Sequence, residues 1–110
     1  MVFKRSATPH VSIVMPAYNA SAFLGEAVAS IASQSFKHWE LIIVDDGSDD
    51  DTLEISKNWA VNDSRVRVLT QANAGASAAR NAGLKTARAK WVAFVDSDDW
   101  FHKNYLKKLM

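Results

Sequence analysis

Trp91-Val92-Ala93-Phe94-Val95-Asp96-Ser97-Asp98-Asp99-Trp100 is five apolar residues running into three carboxylates within four positions. The apolar run, rich in aromatic and β-branched types, reads as a strand buried on both faces. In an open parallel sheet ligands sit outside the carboxyl ends of the strands, so the acids fall where chemistry is expected. Three acids this close repel one another unless a cation or hydrogen-bond donors hold them. Asp96, Asp98 and Asp99 form an oxygen-only set suited to a hard divalent ion, magnesium or manganese, that also meets a phosphate. The same residues read equally well as an acidic loop capping the next helix.

Working outward, strand-like and helix-like segments alternate. Val11 to Ala17 is an apolar strand that Pro16 brings to a stop, since proline cannot donate to a ladder. Asn19 or Ser21 is expected to cap the helix whose apolar face is Phe23, Leu24, Ala27, Val28 and Ile31. Phe36 to Trp39 reads as a return turn before a second strand, Glu40 to Val44. A helix carrying Leu53, Ile55 and Trp59 follows, capped by Ser48 or begun by the acids at 49–51, which the helix dipole favours. Arg65 to Leu69 alternates and reads as a third, shorter strand near an edge. Asn73 to Gly83 opens a helix of small residues able to approach the sheet closely. His102 to Met110 reads as the start of another helix. Strand-helix units repeated before a fourth strand predict an α/β fold with a mainly parallel sheet and flanking helices.

The 110 residues are enough for one domain, residues 10–110, behind a short polar leader at 1–9. The chain stops inside an amphipathic helix with no capping glycine, which predicts a piece truncated at its C-terminus. The net charge of +1 gives no electrostatic case for nucleic acid. Nine of the twelve acids nevertheless lie in two clusters, 45–54 and 96–99, so local charge matters more than the total. The absence of cysteine excludes disulfide and thiolate chemistry. No stretch has the length of a signal peptide or membrane span, so a cytoplasmic protein is expected, or one at the inner face of the membrane.

Each strand end carries a candidate. Tyr18, in Pro16-Ala17-Tyr18-Asn19, either covers the core rim or lies flat on a nucleotide base. Asp45 and Asp46 could accept a hydrogen bond from a base or ribose. A calcium loop there fails, because with Gly47 sixth the first position is Ile42. Gly75 and Arg80 flank a helix start whose N–H groups and guanidinium could meet a diphosphate, and Arg80 reads equally as an ordinary surface residue. No Walker lysine is present. His10, His38 and His102 lack partners at metal-ligand spacing and read as surface residues. Trp59, Trp91 and Trp100 read as packing residues.

Taken together, Val-Ser-Ile-Val-Met-Pro-Ala-Tyr-Asn, Glu-Leu-Ile-Ile-Val-Asp-Asp-Gly-Ser, Asn-Ala-Gly-x-Ser-x-Ala-Arg-Asn-x-Gly and Phe-Val-Asp-Ser-Asp-Asp closely resemble the N-terminal half of family 2 glycosyltransferases. The resemblance runs from about residue 10 to the end. It implies the GT-A fold, with a Rossmann-like nucleotide-binding half, and a nucleotide-diphosphate-sugar donor, a UDP-sugar first among these. It also implies a divalent metal and transfer, with inversion, to a saccharide or lipid-linked acceptor, as in polysaccharide or cell-wall synthesis. Pro16, Ala17, Tyr18 and Asn19 match the nucleoside pocket, and one of Asp45 and Asp46 the base contact. Gly75 and Arg80 match the segment closing over the nucleotide. Asp96, Ser97, Asp98 and Asp99 match the metal and ribose motif, the DXD motif, with Asp96, Asp98 and Asp99 for the metal. The family's catalytic base lies downstream of that motif and is expected beyond Met110. The 110 residues alone are therefore expected to be inactive, and their uncovered apolar surface to favour self-association.

The competing readings fit less well. A nucleotidyltransferase usually has a glycine-rich, basic loop where this chain has Pro-Ala-Tyr-Asn. A non-catalytic nucleotide-binding or signalling module, in the case of a phosphoacceptor receiver domain, needs an acidic pair after the first strand and a lone aspartate after the third. A dehalogenase-like phosphatase needs its Asp-x-Asp on the first strand. Both are misplaced here.

Overall fold

A computed structural model describes residues 8–99 and 104–109. Four strands, β1 (Val11–Ala17), β2 (Trp39–Asp45), β3 (Val66–Thr70) and β4 (Trp91–Phe94), alternate with four helices, α1 (Leu24–Ala32), α2 (Thr52–Asn62), α3 (Ala76–Thr86) and α4 (Tyr105–Leu109). The sheet is wholly parallel, in the order β3-β2-β1-β4. The chain steps outward from β1 to β3, then crosses back to add β4 on the far side. The order therefore reverses between β1 and β4, and a crevice opens at such a switch point.

Side-chain alternation sorts the core. Ile13, Met15, Leu41 and Ile43 face one side and pack with Leu24, Val28 and Ile31 of α1 and with Ile55 and Trp59 of α2. Val14, Ile42 and Val44 face the other side and pack on Ala79 of α3. Burying each large aliphatic side chain contributes roughly 1.5–3 kcal/mol, which is why the central strands β1 and β2 are apolar on both faces. The small residues of α3 do what the sequence suggests. A Cβ on Gly83 would come within 2.4 Å of Val14 Cγ1, so only glycine permits this approach.

Four expectations are corrected. Among the described residues β4 is an edge strand, not one buried on both faces: it pairs there with β1 alone, and no described element covers Trp91 (60% exposed) or Phe94 (49%). Trp91 is therefore no packing residue, and the Lys90 ammonium stands 5.9 Å from its ring. Trp39 belongs to no turn. It starts β2 as a buried residue with the Arg65 guanidinium 3.9 Å over its ring. Neither Asn19 nor Ser21 caps α1, which begins at Leu24 after Phe23 without a side-chain cap. β3 lies at the other edge, as its alternation suggests, and His10 and His38 are exposed, with their rings 5.3 Å apart. The leader up to residue 7, Trp100 and His102 lie outside the described residues, while Leu106 of α4 is buried in the core.

A buried charge at the opposite end of the sheet from the crevice went unread in the sequence. Glu40 is 1% exposed yet ionised. Ser12 Oγ donates to it at 2.5 Å and the Arg88 backbone N–H at 2.7 Å. Arg67 Nη2 and Arg88 Nε donate to its other oxygen at 2.8 and 3.1 Å. Burial pushes its pKa up, but the Ser12 hydroxyl, the Arg88 N–H and the Arg67 charge outweigh that and hold it below the usual value.

Candidate functional site

Pro16-Ala17-Tyr18-Asn19 leaves β1 at the switch point. Asn19 adopts a left-handed φ of 47°, which asparagine tolerates better than most residues. Its backbone N–H donates to Ser48 Oγ at 2.9 Å, and its Oδ1 accepts from the Asp49 N–H at 2.8 Å. Asn19 thus fastens the end of β1 to the loop after β2. Ala20 N donates to Thr52 Oγ1 and Ser21 N to Asp50 Oδ2, so the same loop also orders the approach to α1. Ser48 is consequently no helix cap: α2 begins after Asp51 without a side-chain cap, and Asp50, just before it, accepts from Thr52 N at 3.0 Å.

Asp46 is the organising carboxylate at the end of β2. Gln71 Nε2 and the Ala74 N–H donate to its Oδ1 at 2.9 and 2.8 Å, and the Gly75 N–H to its Oδ2 at 3.0 Å. Asn73 Nδ2 donates to the Asp46 carbonyl at 3.0 Å. These bonds pin the turn between β3 and α3. Gly75 holds φ 97° and ψ 164° there, a conformation essentially confined to glycine. Asp45 is as buried as Asp46, but it is absent from the cleft wall and has its Oδ1 without a partner among the described residues.

A cleft of about 460 Å³ opens over these strand ends, lined by Pro16 to Asn19, Asp46, Arg80, Asp96, Ser97 and Asp98. Tyr18 is half exposed, so a ring face is available. Arg80 Nη2, also in the cleft lining, stands 3.7 Å from Asp96 Oδ1. The carboxylates of Asp96, Asp98 and Asp99 offer oxygens within 4.8 Å of one another, all exposed. Opposed ligands on a magnesium-sized ion stand about 4.2 Å apart, from bond lengths near 2.1 Å. Small side-chain rotations would let the three acids hold such an ion, and their exposure leaves room for water and phosphate. The set fits a hard divalent cation. Asp96 N also donates to Asp99 Oδ2 at 3.1 Å, a bond within the loop itself.

The ionisation of the loops is set by these bonds. The Thr52 hydroxyl, aided by Thr52 and Ser21 N–H groups, brings Asp50 down to about 2. Gln71 and the Ala74 and Gly75 N–H groups hold Asp46 below the usual carboxylate range. Depressed carboxyl pKa values contribute stability that is full above the unfolded values and is lost as pH falls through the folded ones. Stability is therefore expected to be level above about pH 4.5, the ordinary value for Glu40, and to decline toward about pH 2, where Asp50 titrates. Urea midpoints between pH 7 and 2 measure this. A midpoint that falls between pH 7 and 5 would contradict it.

Three cleft residues, Ala20, Phe23 and Ala76, were not picked out from the sequence. Phe23 fits the apolar helical spacing but stands exposed just before α1, where it lines the cleft. Gln71 and Asn73 were also missed. Their signal was two amides just past the end of β3, the position in the sheet equivalent to the acids of β2.

The chain resembles glycosyltransferases along nearly all of its length. It is 44% identical over 101 residues to a putative teichuronic acid biosynthesis glycosyltransferase, TuaG, of Bacillus subtilis, covering 91% of this chain and 40% of that protein. It is 42% identical to the uncharacterized glycosyltransferase EpsJ of the same organism, covering 92% of this chain and 29% of the relative. Among solved structures it superposes on TarS of S. aureus with a TM-score of 0.83 at 36% identity, over 90% of this chain and 30% of TarS. The chain thus spans between about a third and two-fifths of these relatives' lengths. The α/β sheet described above is the GT-A fold of that neighbour. The family described as Glycosyl transferase family 2 matches residues 12–110, from the first strand through the acidic motif and beyond. With so much of the sequence accounted for, the chain belongs to glycosyl transferase family 2.

Proposed function

We propose that these residues form the donor site of a glycosyltransferase that takes a sugar from a nucleotide diphosphate and gives it to an acceptor hydroxyl. The observation that carries this reading is the shared cleft: residues from the ends of β1, β2 and β4 and from α3 converge on one opening. Tyr18 offers its ring to the base. Asp46, which lines the same cleft, is the carboxylate of the pair that a base or ribose donor would meet. Arg80 supplies charge for the diphosphate, and Asp96, Asp98 and Asp99 hold magnesium or manganese. When bound, that ion neutralises the charge that builds on the departing diphosphate. A uridine nucleotide is the first candidate, because TarS, 33% identical here, has been solved with UDP and with UDP-GlcNAc.

Inversion needs a single displacement. The acceptor oxygen attacks the anomeric carbon, the bond to the diphosphate breaks, and a base takes the hydroxyl proton. The cleft carboxylates already have other work: Asp46 holds the 71–75 turn and Asp96 to Asp99 serve the metal. We assign the base and the saccharide or lipid-linked acceptor wall to the length of the relatives that this chain does not span. The exposed Trp91 and Phe94 on the β4 edge support self-association through that edge.

Titration of UDP into the protein and into Tyr18→Phe and Tyr18→Ala tests the site. The ring, not the hydroxyl, is expected to matter: phenylalanine keeps most of the affinity and alanine loses about 1–3 kcal/mol, the usual worth of base stacking. Equal losses from both changes would move recognition to the hydroxyl, and no UDP binding by the unsubstituted protein would end the proposal.

A further inference from the structure

The contact between Arg80 and Asp96 is a charge contact without a hydrogen bond. At 3.7 Å it exceeds hydrogen-bond range, and the two side chains are 39% and 66% exposed, so it is easily exchanged. Arg80 projects from α3 and lines the same cleft as the acidic loop. Among the described residues it is the one cation paired with any of the three clustered acids.

Resting on the donor-site reading above, we infer that Arg80 is a placeholder for the metal and changes partner when the site fills. Without ligand its guanidinium neutralises Asp96, one of the three oxygens a divalent ion needs. A cation entering the acid cluster must displace it. The diphosphate of a nucleotide provides the other seat, within the same cleft and better matched to a planar, bidentate fork than a single carboxylate oxygen. Nucleotide thereby draws Arg80 off Asp96 and frees a metal ligand, while metal drives Arg80 toward the phosphates. Each ligand prepares the site for the other through one side chain. Arg80 is in this sense a positioning residue whose effect on metal binding is opposite in sign to its effect on nucleotide binding.

The test is manganese affinity, read from the electron paramagnetic resonance of the free ion. It is measured on the protein and on Arg80→Gln, without nucleotide and at saturating UDP. Without UDP, Arg80→Gln is expected to bind manganese about fivefold more tightly, the effect of removing a unit charge near 3.7 Å in a water-like dielectric. High salt should shrink that gain, because exposed charges are screened. At saturating UDP the gain should vanish, since Arg80 has already left. In the unsubstituted protein, magnesium should also shift the Arg80 Nε–H resonance, a readout independent of any variant's folding. Equal or weaker manganese binding by Arg80→Gln without UDP, or an unmoved Arg80 resonance, overturns the exchange if manganese and UDP still reinforce each other. If UDP leaves manganese affinity unchanged even in the unsubstituted protein, the donor-site reading falls with it.

Discussion

Glu40→Ala is expected to destabilise the fold by about 3–5 kcal/mol, the usual cost of removing one partner from a buried charge network. The loss is large because Glu40 receives four donor groups from three places in the chain. Ser12 lies on β1 and Arg67 on β3, while Arg88 gives both its backbone N–H and its guanidinium from the loop after α3. The carboxylate ties the N-terminal ends of three strands to the segment that leads into β4. Without it, Ser12 keeps only the bond from the Ala89 N–H. Arg67 keeps the Thr86 carbonyl as an acceptor at 2.7 Å but no counter-charge. Arg88→Ala should cost much less, since that side chain is more than half exposed and water can replace the pair. Urea unfolding with an unchanged slope measures the difference. A Glu40→Ala loss below about 1 kcal/mol would mean that both guanidinium groups re-solvate freely and that the network is incidental.

The second large effect belongs to the other end of the sheet. Metal and nucleotide should bind cooperatively, each weak alone, with a coupling of about 1–3 kcal/mol. The acids supply too few oxygens to fill a six-coordinate shell, so phosphate and water must complete it. Asp98→Ala should abolish the coupling while leaving UDP affinity in chelator almost unchanged. Asp98 is the cleaner choice for this because Asp96 also faces Arg80. Calorimetric titration of UDP with manganese, and then with chelator, gives the coupling directly. Identical affinities in the two titrations would reduce Asp96, Asp98 and Asp99 to an acidic loop.

What was legible in the sequence, and what was not, follows from how each residue is used. The central strands were readable because Val11 to Ala17 and Glu40 to Val44 are buried on both faces, so hydrophobicity alone marks them. The run at 91–95 carried the same signal but stands at an edge, since composition records that a strand is apolar and not what lies beside it. The strand-end motifs were legible because polar residues in fixed order after apolar runs have few structural uses. Caps were read poorly. Asn19 and Ser48 have capping chemistry but bond to each other's loops, a choice decided by tertiary proximity that no local pattern contains. Glu40 was overlooked for a related reason: its partners lie between 27 and 48 residues away in sequence.

The lateral position of β4 also bears on the order in which the molecule assembles. Val11 lies opposite Trp39 on one side and Trp91 on the other, so the second pairing closes a loop nearly three times as long. By loop-closure entropy alone it costs about 1 kcal/mol more than the first. It also joins a four-residue strand to a sheet whose other members are already matched. The β1-β2-β3 layer can therefore form as a nucleus, with β4 arriving last and leaving first. Because the acidic loop hangs from β4, the nucleoside and metal contacts proposed above sit on parts of the chain that are expected to open separately. The proposed base pocket is then expected to persist in molecules whose acidic loop has come apart, and a cation bridging the acids to bound phosphate would slow the departure of β4 itself.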